Sequence, residues 1–169
     1  MFALGVAQNA QAKAVSIDAF TPQKGMKVYA DTKDNFIYLE NPNGTYARDY
    51  SGSGKNETVY YMKKKYLATT PVGYWAAKST TIQTDRRTFG KTGMFLRLYW
   101  DGETRTSYGI HSVSNIEELL GKDDRFASMG CLLVYDDTLN IIKKAYDLNG
   151  GTLEVFTMYG IDEEESFDQ

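Results

Sequence analysis

Two side chains in this 169-residue chain have the makings of a nucleophile and its base, and each type occurs once: Cys131 and His111. A thiol attacks a carbonyl when a neighbour takes its proton or lowers its pKa from about 8.5, and the oxyanion that forms needs donors. The two residues lie 20 positions apart (131 − 111), His111 closing a β-rich run and Cys131 opening an apolar one, Leu132-Leu133-Val134. Ser128-Met129-Gly130 stands just before the thiol. A glycine there lets the backbone turn sharply and points consecutive N–H groups into a common space, the geometry of an oxyanion hole. This arrangement predicts a thiol with a depressed pKa that depends on His111. A free cysteine in an apolar run is equally the composition of an inert core thiol, and spacing alone leaves both readings open. The same counts exclude an intramolecular disulfide and any Cys₄ or Cys₂His₂ zinc site, and no metal or cofactor is expected.

Something must carry these residues to one place, and the sequence predicts mostly strands. Thirteen Tyr against three Pro favour β-structure, while 42% hydrophobic and 24% charged residues describe a single globular domain. A balance of 19 basic against 22 acidic residues, net −3, offers no electrostatic footprint for nucleic acid. Period-two alternation predicts strands at 26–30, 36–40, 45–50, 58–61, 66–69, 73–78 and 152–158, with Ser51-Gly52-Ser53-Gly54 as a flexible loop and Lys63-Lys64-Lys65 as a solvated turn. Asp101-Gly102 predicts a tight primed turn between Met94–Trp100 and Thr104–Ile110, and this hairpin delivers His111. Its aromatics Tyr99, Trp100 and Tyr108, together with Ser128, are candidates to line a substrate groove. Two helices are expected: one opened by a Ser114/Glu117 capping box, the other capped by Asp136 or Asp137 and ending at Asn149-Gly150-Gly151.

Residues 1–25 read as a leader-like remnant and flexible segment, because a short apolar run is followed by small residues spaced as in Ala10-x-Ala12. Residues 26–160 read as the domain proper, and 161–169 as a solvated acidic tail. No run approaches the ~18 apolar residues of a membrane span, so no stable membrane insertion is expected. Oligomeric state is unreadable.

The segment Tyr108-Gly109-Ile110-His111-Ser112, a variable insert, and then Ser128-Met129-Gly130-Cys131 resembles the active-site signature of the L,D-transpeptidase (YkuD-type) catalytic domain. Upstream, Thr70-Pro71-Val72-Gly73-Tyr74 is similar to that family's Thr-Pro-x-Gly-aromatic element, and the likeness extends over about Met26 to Tyr159. The resemblance implies a mostly β fold with minor α, a mixed β-sandwich with one or two short helices. It also implies a periplasmic or cell-wall enzyme of bacterial peptidoglycan that uses no metal. By analogy Cys131 attacks the L,D bond of a tetrapeptide stem, terminal D-alanine leaves, and the thioester passes to an amine of a neighbouring stem. His111 would serve as base and then acid, the Ser112 backbone carbonyl would hold its tautomer, and the N–H groups of Gly130 and Cys131, with that of Met129, would form the oxyanion hole. The chain departs from the pattern twice: Met129 stands where the family has histidine, and Leu133 where it has Arg or Asn. Arg86, Arg87, Arg97 and Arg125 are candidates to restore the missing charge. These departures keep two alternatives in view: an L,D-carboxypeptidase or D-amino-acid exchange enzyme, including one that targets a foreign wall, and a catalytically weak relative that binds stem peptides.

Overall fold

Strand Leu153–Met158 shows in miniature why these residues make a sheet: Leu153, Val155 and Thr157 are buried, while Glu154 and Met158 face outward. The computed structural model describes residues 12–167. In chain order its strands are β1 (Lys13–Val15), β2 (Lys27–Asp31), β3 (Phe36–Glu40), β4 (Thr45–Gly54), β5 (Glu57–Tyr61), β6 (Lys64–Ala68), β7 (Gly73–Ile82), β8 (Met94–Trp100), β9 (Thr104–His111), β10 (Phe126–Ser128), β11 (Leu132–Val134) and β12 (Leu153–Met158). The helices are α1 (Arg86–Phe89), α2 (Ile116–Leu120), α3 (Asp136–Leu148) and α4 (Glu163–Ser166).

The main sheet runs β1-β4-β11-β9-β8-β7-β12-β2-β3, and β3 also pairs with β4, so the mixed β layers expected from the sequence are joined into a closed circuit. Closure leaves few bare strand edges. Two parallel pairs (β11 with β9, β12 with β2) interrupt an otherwise antiparallel circuit. The core runs through Val28, Ile37, Leu39, Trp75, Leu96, Leu98, Ile110 and Val155, and α3 adds Leu139, Ile142 and Ala145 to it. The hairpin β5–β6 stands apart as a two-stranded sheet.

Several expectations are corrected. Ser51-Gly52-Ser53-Gly54 is no loop: it is the buried second half of β4, pairing with β11 and β10. Its residues are small because three other segments crowd it, the Arg125 carbonyl and the Leu133 side chain at Gly52 and residue Thr69 at Gly54. The part of the leader segment that is described also belongs to the domain. Lys13–Val15 pairs in parallel with Thr45–Ala47, and Phe20 is buried in the core. The signal-like residues 1–11 lie outside the described residues. The acidic tail is anchored rather than solvated. Glu163 accepts from Arg48 at 2.6 Å and from the Tyr38 hydroxyl at 3.2 Å, while Phe167 stacks on Tyr38 and Tyr46 at 5.1 and 4.7 Å. The helix caps differ as well. α2 starts after Asn115 with no side-chain cap, one residue later than expected, and Ser114 donates its N–H to the Arg87 carbonyl at 3.1 Å. α3 starts after Tyr135, and Asp136 and Asp137 sit inside its first turn, where carboxylates favour the helix dipole. The hairpin turn does place both Asp101 and Gly102 at positive φ, 53° and 76°, within a three-residue connection that includes Glu103.

The tail contact predicts its own test. Phe167→Ala should lower the stability of the chain by about 3 kcal/mol in urea unfolding, whereas Glu164→Gln, on the exposed side of the same turn, should leave the midpoint unchanged.

Candidate active site

Strand register sets Cys131 and His111 on one face of the sheet. β11 runs parallel to β9 with Leu132 beside Ile110 and Leu133 beside His111. Register partners share a face and the side-chain period is two, so Cys131 falls beside Gly109, on the face that carries His111 and Leu133. All three of Cys131, His111 and Leu133 line one cleft of about 1240 Å³. Glycine is required at 109 because a Cβ there would enter the ring of Phe95 and come within 2.7 Å of the Leu96 carbonyl. The Gly109 N–H meets the Cys131 sulfur.

The imidazole is held from both sides. His111 Nδ1 lies 2.7 Å from the Ser112 carbonyl, which can only accept, so Nδ1 carries the proton and Nε2 is left as the basic nitrogen. The rings of Phe89 and Phe95 pack on it at 4.9 and 5.7 Å, and the Thr88 carbonyl also faces it. Phe89 and Thr88 belong to α1, a four-residue helix missed in the sequence. Its one signal is Asp85, whose carboxylate accepts from the N–H groups of Arg87 and Thr88 at 3.1 and 3.2 Å.

The turn before the thiol is equally fixed. Gly130 has φ +135°, and a side chain there would strike the ring of Tyr108 and approach the Thr69 carbonyl to 2.8 Å. The Ser128 hydroxyl donates to the Cys131 carbonyl at 2.6 Å and accepts from the Gly130 N–H at 3.0 Å. The Gly130 donor is therefore engaged inside the turn, which corrects its expected position in the oxyanion hole. Thr70, buried, closes the turn from outside: it accepts from the Gly54 N–H at 3.0 Å and donates to the Gly130 carbonyl at 2.7 Å. The threonine of the Thr-Pro-x-Gly element thus ties β4 to the residue before the thiol.

Burial sets the electrostatics. Desolvation pushes the Cys131 thiol from an ordinary 9.0 up to about 11, outweighing the Gly109 N–H and the positive charge of Arg97, which pull it down. Desolvation also lowers the His111 pKa from its ordinary 6.5, against the upward pull of the Ser112 and Thr88 carbonyls. The resting pair is a neutral thiol and a neutral imidazole, which overturns the expectation of a depressed thiol pKa. Such a pair can act by general-base catalysis, with the proton moving as the sulfur attacks.

Of the other candidates, Tyr108, Ser128 and the exposed Met129 line the cleft. Tyr108 bonds the Tyr66 hydroxyl at 3.2 Å, so Tyr66 of the β5–β6 hairpin joins the wall. Tyr99 and Trp100 do not line it. Trp100 packs edge-on against Trp75 at 4.6 Å and over Gly73, and Tyr99 lies beside Ser79 and Lys78, so both serve sheet packing. Among the four arginines, Arg87 and Arg97 face the cleft. Arg125 is buried on the carbonyls of Asp34 and Asn35 with its guanidinium 4.4 Å from the Tyr50 ring, and Arg86 bonds the Lys91 carbonyl.

Three predictions follow from this geometry. Iodoacetamide should alkylate Cys131 at a rate that climbs to a midpoint near pH 11 in the folded chain and near 8.5 in the denatured chain. His111, whose folded pKa is depressed, contributes stability that is complete above pH 6.5 and is lost as the pH falls towards its folded value. Urea midpoints should therefore drop below pH 6.5 in the wild type, and His111→Gln should flatten that limb. Thr70→Val strands the Gly54 N–H and the Gly130 carbonyl. It should cost about 1–3 kcal/mol per orphaned group and, by loosening the turn that encloses the thiol, speed alkylation of Cys131, whereas Thr70→Ser keeps both bonds and both properties.

No sequence-family model matches the chain, and no curated protein is similar to it in sequence. Solved structures do resemble it. An L,D-transpeptidase from Xylanimonas cellulosilytica superposes with a TM-score of 0.58 at 22% identity, covering 82% of this chain and 63% of that one. Bdellovibrio bacteriovorus Bd1075 gives 0.55 at 13% identity, over 90% of this chain and 52% of its own. The Ldtfm–avibactam carbamoyl enzyme gives 0.50 at 14%, over 80% and 49%. The chain thus spans between about half and 63% of the length of these solved chains. The mostly β fold expected from the resemblance is the one observed, and the chain has the fold of the L,D-transpeptidase catalytic domain.

Proposed function

We propose that this protein is a cysteine acyltransferase of peptidoglycan stem peptides. The observation that carries the reading is the register that puts Cys131 and His111 on one face of adjacent parallel strands, inside the cleft, with Nδ1 of His111 tied to the Ser112 carbonyl. The fold shared with L,D-transpeptidases supports the substrate class. The site of action would be outside the cytoplasmic membrane, where that polymer lies. Among the described residues no helix is long and apolar enough to cross a membrane.

In this mechanism the stem's L,D amide enters the cleft with its carbonyl carbon against the sulfur. As the S–C bond forms, Nε2 of His111 takes the thiol proton, and the N–H groups of Met129 and Cys131 receive the oxyanion. The imidazolium then protonates the leaving nitrogen, the C–N bond breaks, and D-alanine departs. An amine of a second stem attacks the thioester carbon and loses a proton to His111; the C–S bond then breaks, the imidazolium returns that proton to the sulfur, and the cross-link and the free thiol result. Water in place of the amine would give a tripeptide. Desolvation of both groups suits this sequence, because a neutral imidazole is ready to accept a proton at neutral pH.

Purified tetrapeptide muropeptides incubated with the chain and analysed by mass spectrometry should give cross-linked dimers and free D-alanine. Tripeptides alone would assign hydrolysis, and exchanged terminal residues an exchange reaction. Cys131→Ser should abolish product, and His111→Ala should lower the rate by about 10²–10⁴-fold. Unchanged tetrapeptide with stoichiometric binding would overturn the enzyme reading.

A further inference from the structure

The cleft beside Cys131 gathers positive charge without any negative. Its charged lining residues are Lys55, Arg87 and Arg97, and no Asp or Glu lines it, although acidic residues outnumber basic ones 22 to 19 in the chain. The three cations come from three separate elements. Lys55 follows β4, and its N–H donates to the Ser128 carbonyl at 2.8 Å, beside the turn that presents the thiol. Arg87 sits on α1, the helix over His111. Arg97 projects from β8, held by a 2.7 Å bond to the Thr106 carbonyl and lying 5.0 Å over the Phe95 ring, and its charge reaches the sulfur.

None of the three belongs to an ion pair among the described residues, whose pairs use Lys27, Arg48, Lys122 and Lys143. Arg87 also acts on the Asp85 carboxylate, which does not line the cleft; cations around a walled cleft focus a field towards its floor and raise the local concentration of anions. Arg97 in particular is preorganised, since a carbonyl and an aromatic face fix it without neutralising it.

We infer that the cleft selects acyl donors by their free carboxylates, with Arg97, Lys55 and Arg87 discriminating an anionic peptide from the same peptide in amidated form. The inference deepens the stem-peptide reading and rests on it for the identity of the donor. The terminal D-alanine brings one carboxylate to the cleft, and three cations leave capacity for a further acidic group on the stem. The charge selection itself is a property of the cleft and can be measured with no wall peptide present.

The test compares alkylation of Cys131 by iodoacetate, an anion, with alkylation by iodoacetamide, its neutral counterpart, in the full chain. Each rate is divided by that of N-acetylcysteine under the same conditions, and the ratio of the two reagents cancels the thiol's own pKa. The expected preference for iodoacetate is about tenfold at low salt, and it should shrink in 0.5 M sodium chloride. Lys55→Gln, at an exposed position, should reduce it, and so should Arg97→Gln. Arg97→Lys should keep it, and Lys63→Gln, outside the cleft, should leave it as in the wild type. A ratio of one that ignores salt and these substitutions overturns the inference. A second arm offers tetrapeptide donors with free or amidated carboxylates, and the amidated donor should show a kcat/KM lower by about tenfold or more. Turnover of both donors at equal rates overturns the inference and leaves the stem-peptide reading standing. Turnover of neither, with the iodoacetate preference intact, overturns the stem-peptide reading and leaves an anion-selective thiol cleft.

Discussion

Parallel pairing between β9 and β11 is the constraint from which the site follows. Antiparallel neighbours can be joined by a tight turn, but parallel neighbours need a connection that leaves the sheet and comes back. Here the connection is residues 112–131. It carries α2 and β10 outward and returns through the Ser128–Cys131 turn. Because the return must enter β11 in register with β9, the last residue of the turn lies diagonally across from the last residue of β9. The thiol and the imidazole are those two residues. β10 lies along the end of β4, which explains why β4 finishes in Ser-Gly-Ser-Gly: larger side chains would hold the connection away from the sheet. Thr70 then ties both together with one hydroxyl.

The same enclosure decides the chemical state of the pair. Arg97 and the Gly109 N–H favour a thiolate, and two carbonyls favour an imidazolium, yet desolvation prevails at both residues. An ion pair in this setting would have to be formed and kept at the cost of two desolvated charges. A neutral pair defers that cost to the moment of attack, when substrate fills the cleft and the developing charge lies on the substrate oxygen within reach of N–H donors. The positive lining of the cleft suits such a design, since it stabilises negative charge that arrives with the substrate or develops on it. It does so without holding the thiol deprotonated at rest.

Much of this was legible in the sequence, for reasons that can be named residue by residue. Asp101-Gly102 fixed a hairpin because both residues accept positive φ, and the hairpin ends on His111. Gly130 announced a turn, and its φ of +135° is one that glycine accommodates. What stayed hidden depended on contacts between distant segments. Ser51–Gly54 has a loop's composition, and only the crowding by Thr69, Arg125 and Leu133 makes it a strand. The acidic tail looked solvated because the aromatic rings that receive Phe167 come from β3 and β4. Tyr99 and Trp100 stand on the hairpin that carries His111, but their side chains meet Ser79, Lys78 and Trp75 instead of the cleft. The thiol's pKa was misjudged in direction because a sequence shows neighbouring charges and does not show burial.

The two departures from the family motif take on a physical meaning in this frame. Leu133 is 2% exposed and packs with Ile116 and Leu120, so the strand that follows the thiol is sealed against α2 by apolar contacts. A cation at 133 would sit beside His111 in register and inside that cluster, paying a desolvation penalty that a surface arginine escapes. Positive charge near the sulfur therefore has to enter from another direction. β8 supplies it: Arg97 is only partly buried and keeps its guanidinium at the cleft wall, where a carbonyl orients it and no carboxylate cancels it. Met129, 37% exposed at the rim, leaves the turn's geometry untouched, because the bonds that fix the turn belong to Ser128, Gly130 and Thr70. In this chain the turn presents the thiol through Ser128, Gly130 and Thr70, and the positive charge beside it comes from a neighbouring strand and not from the nucleophile's own. The position of that charge, on β8 and reaching across β9, is what should set which donors the thiol can meet.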